Sequence, residues 1–381
     1  MHGMRASMPL FMLATLMLLA GCGTAPAHRN SVAQTSVPAS GEPFDVALER
    51  QMPVLLAKNH VPGAVISCIQ NGEVVWTKAF GLANCQTREP MRPDMVFNHG
   101  SDGKVLTAWG IMRLVEAGKV ELDAPANRYL KRWQIRSTEF DADGVTIRRL
   151  LSHTAGLTLS GLSDYAQGER LPTLVEILEG KNRKDGPVFV QWRPGSTWAY
   201  SAGGFVILQM IIEDVSGEPF ADFIRREVAQ PLGMPSLEWV WTPELEGRAP
   251  IPYDWWQGRV GYRLLASPAV GGEICTVPDF ARFVAAGVPG PHGEPPGRGV
   301  LKPETVAAML EVQPNATDCG LGYRIVFFDG EKFLEHSGFN PGWRAAFAIS
   351  ANRRDGFVIA NNSSKGESLN KAVGSLWGKT R

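Results

Sequence analysis

Ser101-Asp102-Gly103-Lys104 places a serine three residues ahead of a lysine, at the head of an apolar, helix-like run over residues 105–115. Residues i and i+3 share one face of a helix, so the lysine nitrogen can reach the serine hydroxyl. Serine is a weak nucleophile until a neighbouring base takes its proton. A helix start also offers unpaired backbone N–H groups that favour developing negative charge. These are the requirements of acyl transfer. The tetrapeptide by itself is a common coincidence, so its meaning rests on its surroundings.

Upstream of it, residues 43–60 carry apolar positions at helical spacing. Residues 64–70 and 73–80 then flank Asn71-Gly72 as a β-hairpin. Downstream, residues 120–290 read as mainly helical or irregular, with helical spacing over 171–178, 205–215 and 220–228. The C-terminal part changes to strands over 323–328, 332–336, 344–350 and 357–360. Asp329-Gly330, Asn340-Pro341-Gly342 and Arg354-Asp355-Gly356 break them as turns. A helix over 369–377 closes the chain. Strand signals at both ends with helices between predict an α/β (α+β) fold. One antiparallel sheet is built from both chain ends and flanked by helices, with a mainly helical inserted subdomain. A cleft between the two lobes is the expected place for a site.

The first 22 residues read as an address. A short apolar run over 8–20 suits a signal peptide and is too short for a comfortable membrane span. It ends in Leu19-Ala20-Gly21-Cys22, similar to a bacterial lipobox, which implies lipidation at Cys22. Residues 23–42, rich in Thr, Ala, Pro, Ser and Gly, read as a flexible tether, leaving 43–381 as the folded domain. The expectation is an exported cell-envelope lipoprotein, membrane-anchored through its N-terminal lipid and facing the periplasm.

With 38 basic and 38 acidic residues, the balanced charge argues against nucleic acid as a partner. Cys68, Cys85, Cys275 and Cys319 are scattered without metal-type spacing, and no pairing can be read from them. No H-E-x-x-H or similar cluster is present, so neither a metal nor a cofactor is expected. The lack of G-x-S-x-G disfavours the α/β-hydrolase route to serine chemistry.

Two further segments give the tetrapeptide its context. Tyr200-Ser201-Ala202-Gly203-Gly204 precedes the apolar helix at 205–215, and a strand runs into His336-Ser337-Gly338-Phe339. With Ser101 and Lys104, these resemble the three elements of the serine β-lactamase and penicillin-binding-protein superfamily, in that family's order. Arg149-Leu150-Leu151-Ser152-His153-Thr154-Ala155-Gly156-Leu157 is similar to a segment of its class C-like branch. The resemblance runs from about residue 44 to 365.

It implies Ser101 as the acylated nucleophile, Lys104 as its proton acceptor and Tyr200 as the proton shuttle. His336 stands where many relatives carry lysine. The Ser101 and Phe339 N–H groups would form the oxyanion hole, and Ser337, Gly338 and Ala202 would contact substrate. Two positions depart from the pattern. Ala202 replaces the asparagine whose amide binds the acylamide carbonyl of peptides and β-lactams. Gly103 stands where a hydroxyl residue often precedes the lysine, and glycine inside a helix costs about 1 kcal/mol against alanine.

The expected activity is therefore a serine hydrolase acting on a small-molecule ester or a D-amino-acid-containing amide. A true β-lactamase and a non-catalytic envelope binding protein are the alternatives. Asp102 reads as a favourable first-turn acid, His153 as a loop brace, and Trp192, Trp198, Trp255 and Trp256 as core, with lining of a substrate cleft the alternative.

Overall fold

The structure, a computed structural model, describes residues 42–381. The signal, the lipobox cysteine Cys22 and all but the last residue of the tether lie outside the described residues. Seven strands form the main sheet: β1 (Gly63–Gln70), β2 (Glu73–Asn84), β3 (Glu89–Pro90), β4 (Arg324–Phe328), β5 (Glu331–Asn340), β6 (Trp343–Ser350) and β7 (Gly356–Asn361). Their order is β3-β2-β1-β7-β6-β5-β4, so the two chain ends meet where β1 pairs antiparallel with β7, Ile66 opposite Ile359. The fold predicted from the distribution of strand signals is the fold observed.

Turn chemistry sets the register. Asn71-Gly72 and Asp329-Gly330 both hold two successive residues at positive φ, the conformation that suits tight hairpins between twisted strands. At Pro341-Gly342 only the glycine is left-handed, with φ 84°, and Asn340 faces Trp343 across the turn. That parity matters for the site. In an antiparallel ladder, hydrogen-bonded pairs alternate with non-bonded ones. The closing Asn340–Trp343 pair is bonded, so Phe339 opposite Arg344 is not, and its N–H points away from β6.

Each face of the sheet buries a separate core. The Phe44–Asn59 and Glu367–Lys379 helices cover one face, packing Leu48, Met52, Val373 and Trp377 on Ile66 and Ile359. The other face meets the larger core around the Gly103–Glu116 and Ala202–Ser216 helices. Both of these helices are buried almost all round, as helices inside a large domain are. They pack on each other, which places the start of each at the cleft.

The inserted region is more irregular than its helical spacing suggests. Residues 171–178 give only the five-residue Leu174–Leu178 helix, and two small two-stranded sheets join distant segments. The Val277–Ala285 helix packs on β1, β2 and β7, so the end of the 120–290 stretch belongs to the sheet's own layer.

Candidate active site

Ser101 lies in a single 3-10 turn, Gly100–Asp102, that feeds the Gly103–Glu116 helix. Three glycines bring three backbone segments into contact around it. A Cβ on Gly338 would sit 1.7 Å from the carbonyl oxygen of His99, and one on Gly100 would sit 2.6 Å from the Phe339 nitrogen. One on Gly271, whose φ is 141°, would sit 2.5 Å from the Gly100 carbonyl carbon. Only residues without a Cβ allow this approach. Asn340 ties the segments together, donating from Nδ2 to Asn98 Oδ1 (2.5 Å) and to the Gly271 carbonyl (2.8 Å). Asn98 Oδ1 also accepts from the Gly100 N–H at 3.0 Å.

The Ser101 hydroxyl is flanked on both sides. Lys104 Nζ lies 3.0 Å from Ser101 Oγ, and the Tyr200 hydroxyl lies 2.9 Å from the same oxygen. Lys104 is 1% exposed, and its nitrogen also donates to the Val270 carbonyl. It sits 5.1 Å from the Tyr200 ring centre and 5.4 Å from that of Phe205, a favourable place for an ammonium. Phe339 has its N–H turned away from β6, with its nitrogen beside Gly100. β4 pairs with β5 only as far as Glu335, so the β5 edge from His336 to Phe339 is uncovered by a strand.

Tyr200 is held by residues around the start of the next helix. Ser201 caps that helix, accepting from the Gly204 N–H at 3.0 Å, a bond whose loss typically costs about 1 kcal/mol. His153 accepts from the Ser201 N–H through Nδ1 at 3.1 Å and packs against the Tyr200 ring, tilted by 33° with centres 4.3 Å apart. Burial, and then the nearby Lys104 and His336, push His153 well below the usual imidazole range, keeping it neutral and able to accept. The loop brace expected at His153 is thus a brace of Tyr200 itself.

A cavity opens on each side of Tyr200. One, of about 520 Å³, is lined by Ser101, Lys104, Ala202, Leu265 and Phe339. The other, of about 420 Å³, is lined by His153, Trp198, Cys319, Arg324, His336 and Ser337. Of the residues expected from the sequence, Ser101, Lys104, Tyr200, Ala202 and Phe339 line the first cavity, and His336 and Ser337 line the second together with Tyr200. Ala202 turns no amide into the cleft, and Gly338 contributes by close approach.

Two expectations change. Asp102 is fully buried and caps nothing with its side chain. Trp192, Trp198, Trp255 and Trp256 are partly or largely exposed; Trp198 lines the second cavity and donates to Cys319 Sγ at 3.1 Å, and Trp255 packs against Phe339 with ring centres 6.1 Å apart. Cys68, Cys275 and Cys319 are free, buried thiols. Glu273, which no motif singles out, is 1% exposed. Its carboxyl fills the space beside Gly103, where a Cβ would lie 1.9 Å from Oε2. A lone acid in the stretch Ala269 to Cys275 was the only signal available.

Residues 48–374 match the family model described as Beta-lactamase. The chain belongs to the β-lactamase family. Esterase EstB of Burkholderia gladioli is 32% identical over 205 residues, covering 52% of this chain and 52% of that protein. The putative penicillin-binding protein PbpX of Bacillus subtilis is 29% identical over 219 residues, covering 58% and 49%. The chain thus spans about half the length of these curated relatives. Among solved structures, the octameric penicillin-binding protein homologue from Pyrococcus abyssi superposes with a TM-score of 0.70 at 27% identity, covering 86% of this chain and 76% of that one. As a β-lactamase-family fold, the chain brings Ser101, Lys104, Tyr200 and the β5 edge together.

Proposed function

We propose that the protein is a serine hydrolase working through an acyl-enzyme on Ser101, with esters or D-amino-acid amides as substrates. The observation that carries this is the pair of contacts on Ser101 Oγ, Lys104 Nζ at 3.0 Å and Tyr200 OH at 2.9 Å. Lys104 takes the hydroxyl proton as Oγ attacks the carbonyl carbon. The oxyanion forms between the N–H groups of Ser101 and Phe339, donors already in place before the charge develops. Tyr200 passes a proton to the leaving oxygen or nitrogen, then helps a water attack the acyl carbon and release Ser101.

Esters rank first because Ala202 offers no amide to an acylamide carbonyl, a lost hydrogen bond that weakens recognition by roughly 1–3 kcal/mol. The likeness to an esterase points the same way. A panel of p-nitrophenyl acyl esters, D-amino-acid amides and a chromogenic cephalosporin tests the reading. Ester turnover should be at least a thousandfold lower in Ser101→Ala with unchanged melting temperature. Equal turnover in the variant sinks the proposal, and rapid cephalosporin hydrolysis would make the protein a β-lactamase in activity.

The segment ending at Cys22 supports a lipid-anchored envelope enzyme. Partition of the wild type but not Cys22→Ala into a detergent phase would bear that out.

A further inference from the structure

Tyr200 stands between the two cavities, and this gives each half of a substrate its place. Ala202, the position expected to face an acylamide carbonyl, lines the cavity of about 520 Å³ with Ser101 and Lys104. Tyr200, which hands a proton to the departing atom, also lines the cavity of about 420 Å³ with His336 and Ser337 from β5. The acyl group therefore belongs in the larger cavity and the leaving group in the smaller one.

The two cavities differ in charge. On the acyl side each acid has its own base: Lys184 pairs with Glu169 at 2.9 Å, and Arg263 with Asp164 at 2.6 Å. On the leaving-group side one base meets two acids. Arg324 Nε and Nη2 lie 2.9 Å and 2.6 Å from Asp318 Oδ2, and Nη1 lies 2.8 Å from Glu335 Oε1. All three guanidinium nitrogens are thus engaged by the protein's own carboxylates, and a substrate carboxylate finds no open fork. Among the described residues lining this cavity, Arg324 is the only lysine or arginine, and Asp318 is the only acid. The pair is firmly placed. The Asp318 carbonyl accepts from the Ile325 N–H at 2.6 Å, and the Gly320 N–H donates to the Tyr323 carbonyl at 2.9 Å, closing a tight hairpin. Trp198 ties that hairpin to the Tyr200 segment through Cys319, and Arg324 stands opposite Glu335 in the β4–β5 ladder, on the same face. Asp318 Oδ1 lies outside the guanidinium contact, 3.8 Å from the Cys319 sulfur.

We propose that Asp318 is a specificity-determining residue: by engaging Arg324 and adding its own negative charge to the cavity wall, it directs the enzyme to substrates with a neutral leaving group and against those whose leaving group carries a carboxylate. A cephalosporin, with its ring carboxylate on the departing side, and a peptide with a free C-terminus are of the rejected kind. This is a ground for selectivity separate from Ala202, which acts on the acyl side. The inference rests on the serine-hydrolase reading, whose leaving group it describes.

The test uses two phenylacetyl esters of matched shape, one of 3-hydroxybenzoate and one of 3-hydroxybenzamide, each rate divided by that of uncatalysed hydrolysis. Wild type is expected to favour the benzamide ester about tenfold or more in kcat/KM, since like charges brought together oppose binding. Asp318→Asn should narrow that ratio about tenfold, and Arg324→Gln should widen it, because it removes the base and keeps both acids. Added salt should raise kcat/KM of the wild type for the benzoate ester and leave the benzamide ester unchanged, a readout that needs no variant to fold. A wild-type preference for the benzoate ester, an unchanged ratio in Asp318→Asn, or a ratio independent of salt overturns the proposal.

Wild-type protein inert toward both esters would instead fail the hydrolase reading. Free 3-hydroxybenzamide and 3-hydroxybenzoate, titrated by ligand-observed NMR, would then still judge Asp318. Tighter binding of the amide to wild type, with that preference lost in Asp318→Asn, upholds its role, and equal or inverse binding overturns it.

Discussion

The floor of the cleft and its rim are built on opposite terms. At the floor, Gly100, Gly271 and Gly338 let backbone meet backbone at distances no side chain would permit, and Lys104, Asp102 and Glu273 are sealed from solvent. At the rim, Trp255 and Phe339 meet with ring centres 6.1 Å apart, Arg344 lies over the Phe339 ring at 4.0 Å, and Trp256 projects into solvent at 89% exposure. The floor leaves almost no freedom to sequence and fixes the chemistry. The rim tolerates change, and there the substrate is selected.

Gly338→Ala should break the floor most visibly. The added methyl would lie 1.7 Å from the His99 carbonyl oxygen, a backbone atom that cannot swing aside. β5 must retreat from the Ser101 turn, carrying the Phe339 N–H with it. Loss of one oxyanion donor costs about 10²- to 10³-fold in kcat, and that loss in ester turnover is the expected outcome. Wild-type kcat in this variant would show that the close approach has no catalytic purpose.

The contrast also explains what the sequence could reveal. The elements were legible because their signals are local: alternating and helical spacing, with Asn71-Gly72 and Asp329-Gly330 marking hairpins. The order of Ser101, Lys104, Tyr200 and His336 was legible because each belongs to a short motif. Burial of charge was not. Asp102 in a first helical turn and Glu273 after two glycines look like solvated acids until β5 and the Gly271 loop close over them. The exposed tryptophans failed for the converse reason. Size and apolarity argue for the core, and nothing local says that the core is already full.

Stability should report the sealed floor through pH. His99 is fully buried, stacked on Phe280 at 4.5 Å, with Nε2 3.3 Å from the Cys275 carbonyl oxygen. Burial lowers its pKa to about 4, against the weaker opposing pull of that carbonyl. Between pH 6.5 and 4 the unfolded chain therefore binds the proton that the folded protein refuses. Stability falls as pH drops through that window and levels off, for this group, below about 4. The full shift corresponds to roughly 3 kcal/mol. The buried, neutral His153 adds in the same direction. Denaturant midpoints measured from pH 7 to pH 4 should fall accordingly, with a shallower slope in His99→Gln. A midpoint independent of pH would mean that water reaches the floor.

The smallest effect is expected at the rim. Trp256 exposes most of its ring, and the contact recorded for it is a backbone one, its N–H donating to Asp254 Oδ1 at 2.7 Å. Trp256→Ala keeps that bond and removes little buried surface, so stability should move by less than about 0.5 kcal/mol. Turnover of a small acetyl ester, which need not reach the rim, should stay within twofold of wild type. A long-chain or aryl ester that does extend past Phe339 should lose several-fold in kcat/KM through a higher KM, with kcat retained, because a contact made equally in ground and transition states changes KM alone. A drop in kcat for the acetyl ester would instead tie the rim to the floor, since Trp255 is next in sequence and packs on Phe339, whose N–H serves the oxyanion. The chain-length dependence of that one variant therefore decides whether rim and floor are separable.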